Sequence, residues 1–267
     1  MAFYGDDADN HQYDTAFETF YMGDGNDRVG VDDDFFIAYG GNGNDTIYGN
    51  TGTYMDAYGG NGNDWITLSA LASMASYIYA GGGNDVVTAG NVSDYIEGGQ
   101  GTDALLAGGG NDLVYGGGGD DNQVSLTAGA NYAGFTSTQT GGLYGAGGND
   151  TLYGGDGNDY VSGGADADFL DGGNGNDYLD GGTGTDIILG GEGNDTVYGG
   201  SGTDFVDGGR GNDYMILGAD GDFATGGDGT DSIAGDAGND VIYGGRDNDA
   251  ITGGLDSDAI NGDEGND

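Results

Sequence analysis

From Gly145 to the last residue an aspartate recurs at every ninth place without an insertion: Asp150, Asp159, Asp168, Asp177, Asp186, Asp195, Asp204, Asp213, Asp222, Asp231, Asp240, Asp249, Asp258 and Asp267. A fixed period of this kind leaves few folds open. It marks a stacked architecture, in which each unit buries its apolar side only against its neighbours. Typical units read GGDGNDYVS (154–162), GGNGNDYLD (172–180) and GGEGNDTVY (190–198). An earlier block, Asp85, Asp94, Asp103, Asp112 and Asp121, keeps the same period.

With the aspartate counted as sixth, the eighth position holds Leu152, Val161, Leu170, Leu179, Ile188, Val197, Val206, Met215, Ala224, Ile233, Ile242, Ile251 and Ile260. All are aliphatic or Met. Side chains alternate along a strand, so this residue points to the core while its neighbours at positions seven and nine face outward. The pattern predicts a six-residue turn followed by a three-residue strand, with glycines supplying the positive φ that tight turns need. One repeat has one core residue, so two must face each other. The predicted unit is a coil of two short strands and two turns per 18 residues, stacked at about 4.8 Å into an all-β parallel solenoid.

Charge then decides what such a solenoid requires. The chain has 47 acidic residues, only three basic ones (Arg28, Arg210, Arg246) and a net charge of -44, with 66 Gly and neither Pro nor Cys. That balance argues against binding nucleic acid or an anionic membrane surface, both of which need Lys and Arg. No apolar run approaches the ~20 residues of a membrane span. Nearly all the acids are Asp at fixed intervals, as cation ligands would be. A thin core and so much glycine predict a chain largely unfolded until divalent cations neutralise it.

The pattern GGxGxDxUx resembles the RTX (repeats-in-toxin) family of secreted bacterial proteins. The resemblance implies a right-handed parallel β-roll with multiple Ca²⁺ ions between successive turns, each held by Asp carboxylates of two turns and by backbone carbonyls. Asp150 would then pair with Asp168 and Asp186 along one edge, and Asp159 with Asp177 and Asp195 along the other. The implied ligand set extends to Asp9, Asp27, Asp45, Asp64 and the Asp85–Asp121 block. Family members usually leave the cell unfolded by the type I route and fold on meeting external calcium, which implies an extracellular or cell-surface location. Leu217 and Gly235-Asp236 replace the usual opening glycines, and Asp220, Asp247 and Asp256 replace the fourth-position glycine, so weaker turns are expected there. The usual C-terminal secretion signal is not recognisable.

Four regions follow from the phase. Residues 1–58 are degenerate repeats, with Asp9, Glu18, Asp27 and Asp45 on the grid but Phe36 and Tyr54 where Asp belongs. Residues 59–121 carry repeats around a glycine-free insertion at 65–79, which stretches the Asp64-to-Asp85 spacing to 21. Residues 122–144 are Ser/Thr-rich and poor in ligands, and 145–267 form the regular block. His11, the only histidine, has no catalytic partner. No nucleophile–base pair or phosphate-binding motif is present, so no enzyme is expected.

Outward seventh positions separate by face. One face reads Thr151, Phe169, Ile187, Phe205, Phe223, Val241 and Ala259; the other Tyr160, Tyr178, Thr196, Tyr214, Ser232 and Ala250. The Phe/Ile face is the expected interface, since exposed apolar rows usually mark one. At the ends, Asp267 closes a turn, and Met1-Ala2-Phe3 has the pattern of the strand that would follow, with Ala2 at the core position. Together these suggest copies joined head to tail in a non-closing filament, as an extracellular structural protein. The alternative is a calcium-folded stalk or binding module of a larger secreted protein.

Overall fold

The computed structural model describes residues 2–4, 18–31, 35–49, 54–68, 75–119, 121 and 142–267. Among these, every regular element is a β-strand and every pairing is parallel. The fold is a parallel β-roll. The chain forms two compact units, Met1–Gly145 and Ala146–Asp267.

In the first unit one sheet, called the front sheet, orders β1 (Ala2–Tyr4), β2 (Glu18–Asp24), β4 (Phe35–Asn42), β6 (Tyr54–Asn61), β8 (Tyr77–Gly82), β10 (Tyr95–Gln100) and β12 (Leu113–Gly118). Its back sheet holds β3 (Arg28–Val31), β5 (Thr46–Gly49), β7 (Trp65–Leu68), β9 (Val86–Thr88) and β11 (Ala104–Gly109). The strand β13 (Gly142–Gly147) spans the boundary between the units. In the second unit the front sheet runs β14 (Thr151–Asp156), β16 (Phe169–Asn174), β18 (Ile187–Glu192), β20 (Phe205–Arg210), β22 (Phe223–Asp228), β24 (Val241–Arg246) and β26 (Ala259–Glu264). Its back sheet runs β15 (Tyr160–Ala165), β17 (Tyr178–Thr183), β19 (Thr196–Ser201), β21 (Tyr214–Ala219), β23 (Ser232–Ala237) and β25 (Ala250–Thr252). Consecutive strands thus alternate between sheets, two per coil.

Strand and turn lengths differ from the sequence expectation. Most strands have six residues and the turn has three. The opening glycines continue the ladder instead of bending away from it, as Gly155 pairing with Gly173 and Asp156 with Asn174 demonstrates. Each six-residue strand therefore points two residues inward, at positions eight and one, because the alternation that buries Leu170 also buries Gly172 two places on. The turn is made by left-handed backbone at positions two and four, such as Gly155 (φ 114°) and Gly157 (φ 139°). A methyl at Gly173 would stand 2.2 Å from the Gly155 carbonyl oxygen of the coil before, so close stacking as well as φ selects glycine here.

The departures from the repeat keep this path. Asp166, Asp220, Asp247 and Asp256 at position four, and Asp236 at position two, adopt φ between 67° and 80°. Asp tolerates the left-handed region because its short polar side chain bonds locally. Leu217 lies fully buried at an inward position, where it fills the core. The insertion is also milder than its composition suggests. Trp65–Leu68 and Tyr77–Gly82 are strands in phase, with Trp65 paired to Thr46 and Tyr77 to Asp56. The three additional residues fall between them, and residues 69–74 lie outside the described set. Likewise Gly142–Tyr144 belong to β13, with Leu143 in the core.

Two further assignments shift. Phe36 stands opposite Met55, so Met55 and not Tyr54 occupies the sixth place of that coil. The first strand is Ala2–Tyr4, with Phe3 opposite Phe20, a core residue. Phe3 and not Ala2 is thus the residue in line with Phe20, one residue out of the nine-residue phase, and the strand joins the front sheet. A chain resumed after Asp267 would enter the back sheet next, since β25 lies in the back sheet and β26 in the front.

Candidate metal site along the turns

From Asp27 to Asp249 the described sixth-position aspartates sit where the turn re-enters a strand, and their side chains turn inward. Asp45, Asp85, Asp168, Asp177, Asp195 and Asp231 are no more than 3% exposed. One carboxylate oxygen has a fixed partner: Oδ1 accepts the backbone N–H of the equivalent aspartate one coil earlier. The back-edge column reads Asp159 N to Asp177 Oδ1 at 2.8 Å, then Asp177 to Asp195, Asp195 to Asp213 and Asp213 to Asp231. The front-edge column runs from Asp150 through Asp168, Asp186, Asp204, Asp222 and Asp240 to Asp258 in the same way. In the first unit Asp27, Asp45, Asp64, Asp85, Asp103 and Asp121 form one such column and Ser76, Asp94 and Asp112 another.

The second oxygen is the chemically decisive one. Oδ2 of Asp45, Asp64, Asp85, Asp103, Asp168, Asp177, Asp186, Asp195, Asp204, Asp213, Asp222, Asp231, Asp240 and Asp249 is buried without a hydrogen-bond donor. It faces another acceptor. A methyl placed on Gly172 would lie 2.5 Å from Asp177 Oδ2 and 2.7 Å from the Gly190 carbonyl oxygen; at Gly208 the corresponding distances to Asp213 Oδ2 and Gly226 O are both 2.6 Å. Where position one is glycine, as at Gly172, Gly190, Gly208 and Gly226, it thus leaves a cradle walled by a carboxylate oxygen and a carbonyl oxygen of the next coil. Two acceptors facing one space require a proton or a cation between them.

Burial pushes these carboxylates upward: Asp64, Asp103, Asp168, Asp177 and Asp222 reach about 7. Asp45, Asp85, Asp195, Asp204, Asp213 and Asp231 reach about 6. The N–H donated by the preceding aspartate offsets only part of the cost of burying the charge. Hard oxygens of this kind, carboxylate plus backbone carbonyl, are what calcium takes. Among the described residues no three Asp, Glu, His or Cys side chains converge, so any ion here must draw on backbone oxygens as well as on carboxylates.

A model of the RTX calcium-binding nonapeptide repeat matches residues 37–53, 57–70, 75–122 and 144–267, which is well over half of the chain. The chain belongs to the RTX repeat family. As an RTX protein it carries repeats that bind calcium, on a fold that is a structural calcium-binding module. Comparison of the whole RTX chain with curated proteins finds no match.

The sequence-assigned ligands take different places in this RTX roll. Asp9 lies outside the described residues. Asp258 is half-buried and Asp267 exposed, whereas the sixth-position aspartates from Asp27 to Asp249 are buried. The sequence pattern did not single out a second ladder, which runs the other way. Asn176 N donates to Asn158 Oδ1, Asn194 N to Asn176 Oδ1 and Asn212 N to Asn194 Oδ1, each 2.7 Å and one coil back. The fifth-position Asn in GGNGND was its signal. Position three at the ends of front-sheet strands carries exposed ion pairs, Arg210 with Glu192 at 2.5 Å and Arg246 with Asp228 at 2.9 Å. Pairs this exposed contribute about 0–1 kcal/mol each. They border a shallow cleft whose lining also includes Asp207, Thr225 and Asp263.

Proposed function

We propose that this chain is a structural module that folds when several calcium ions fill its turns, that it works outside the cell, and that copies of it associate. The carrying observation is the long series of buried Oδ2 atoms facing carbonyl oxygens without a donor. Aspartates from Asp27 to Asp121 and from Asp150 to Asp267 would supply the carboxylates, and the glycine carbonyls the remaining oxygens. A site of this type is empty at cytosolic calcium and loads at the roughly 10⁻⁴–10⁻³ M of extracellular modules, which suits a protein exported unfolded.

Association is supported by the outer front row of the second unit. There Ile187, Phe205 and Phe223 expose a third or more of their surface, and the rings of Phe205 and Phe223 stack at 5.1 Å. Calcium loading brings this row into line, and copies meet through it or end to end along the stacking direction. The register of β1 removes the phase argument for a junction at Met1–Phe3, so the row is the better supported contact. The test is circular dichroism with sedimentation velocity during a calcium titration. Strand signal and particle mass rise together if the proposal holds. A folded monomer at all protein concentrations sinks the association, and full strand content in chelator sinks the calcium requirement.

A further inference from the structure

In the amino-terminal unit three successive sixth positions of the front edge do not fit calcium. The pairings align Phe36, Met55 and Ser76 in the column that continues as Asp94 and Asp112, because Ile37 pairs with Asp56, which pairs in turn with Tyr77. Phe36, Met55 and Ser76 are completely buried. A phenyl ring, a thioether and a hydroxyl replace three carboxylates in succession, and none of the three brings the charged oxygen that the other columns offer.

What fills the space is apolar contact. Phe36 packs edge-on against Phe20 with centroids 6.4 Å apart. A methyl on Gly49 would touch Phe36 Cε1 and Leu68 Cδ2, each at 3.3 Å, so the ring reaches across to the back sheet. Several inward first positions of this unit are also larger than glycine: Met22, Leu68, Ala80, Ala89 and Ala107 are all buried, while Gly40, Gly49 and Gly59 keep the usual residue. Outside, Tyr21, Tyr39, Tyr58 and Tyr79 form one continuous stack, with centroids 4.7–5.1 Å apart and planes within 10° of parallel.

We infer that this edge of the amino-terminal coils is a metal-free apolar seam, and that these coils keep their fold at calcium concentrations leaving the second unit unfolded. The inference rests on the calcium-folding function proposed above. Its physical basis is a comparison of coils. A coil between β4 and β8 buries one sixth-position carboxylate with Phe36, Met55 or Ser76 in place of the other, whereas a coil of the second unit buries two. Less charge needs neutralising, and more apolar surface is removed from water in return.

Hydrogen exchange followed by mass spectrometry on the full chain, across a calcium series from chelator to 10 mM, tests it. Peptides from β2, β4 and β6 are expected to become protected at least tenfold lower in calcium than peptides from β14 to β26. A single shared midpoint overturns the inference. Protection of both units in chelator overturns the calcium-folding function instead, so the two failures are distinguishable. The double substitution F36D/M55D should raise the midpoint of β2–β6 to that of the second unit, with protection restored at saturating calcium. M55L should leave the midpoint unchanged. Loss of protection in F36D/M55D that calcium cannot restore means that these places are not equivalent to ligand positions, and that too overturns the inference.

Discussion

A single aspartate of the repeat performs two tasks through two oxygens, and substitution can separate them. Asp195 Oδ1 accepts the Asp177 N–H at 2.8 Å, while Oδ2 is buried without a donor and takes a cation on the proposed function. Replacing Asp195 by Asn keeps the acceptor and removes the charge. This variant should weaken calcium binding yet hold the metal-free roll better than the parent chain does. Replacing it by Ala leaves a buried N–H unsatisfied, at a cost of about 1–3 kcal/mol with or without calcium. Urea unfolding in chelator and in calcium measures both. The pH response follows from the same atoms. Burial holds their carboxyls at about 6 to 7 when folded, against 3.8 for a free aspartate. A carboxyl raised on folding penalises the native state above its folded pKa, and the penalty vanishes below the unfolded one. In chelator, strand content should therefore increase as pH falls from 8 through 7 towards 4, by circular dichroism. In millimolar calcium, acidification through 7 should instead release ions as protons compete for the same oxygens.

At the level of the element, the turn is constrained by backbone rather than by side chains. Gly227 has φ 108°, and a methyl there would stand 2.0 Å from the Gly209 carbonyl oxygen. Substitution by Val should cost more than ~2 kcal/mol even at saturating calcium, measured as a shift of the urea midpoint. The outer rows are freer. Phe205→Ser with Phe223→Ser forfeits one stacked ring pair, about 0.5–1.5 kcal/mol, but should abolish association by sedimentation if the row is the contact. The core column, the glycine turns and the aspartate spacing were legible in the sequence, because a period of nine repeats each signal many times. The six-residue strand was not, since glycine signals a turn and only the pairing of Gly155 with Gly173 makes it part of a ladder. Met55 was missed for a related reason: the 19-residue separation of Asp45 and Asp64 moves the sixth place by one, and only the partner strand reveals where. Oδ2 facing a carbonyl could not be read at all, because it depends on the coil above.

At the scale of the molecule, two opposed ladders tie neighbouring coils together among the described residues. Aspartate amides bond toward the carboxy terminus and asparagine amides toward the amino terminus. Neither ladder depends on the outer residues, so one backbone carries unlike surfaces on its two sheets. The alternation of sheets along the sequence has a bearing on how such a chain can change length over generations. Loss of eighteen residues, for example 181–198, removes a full coil and leaves Phe205 in line with Phe169. Loss of nine, for example 181–189, also keeps every aspartate on a column, yet it transfers all later strands to the opposite sheet and sets Phe205 in line with Tyr160 and Tyr178. Both shortened chains should fold with calcium. Inheritance through copy-number slippage is thus tolerant of fold but not of face, and a lineage that depends on its Phe/Ile row can vary only in even numbers of repeats.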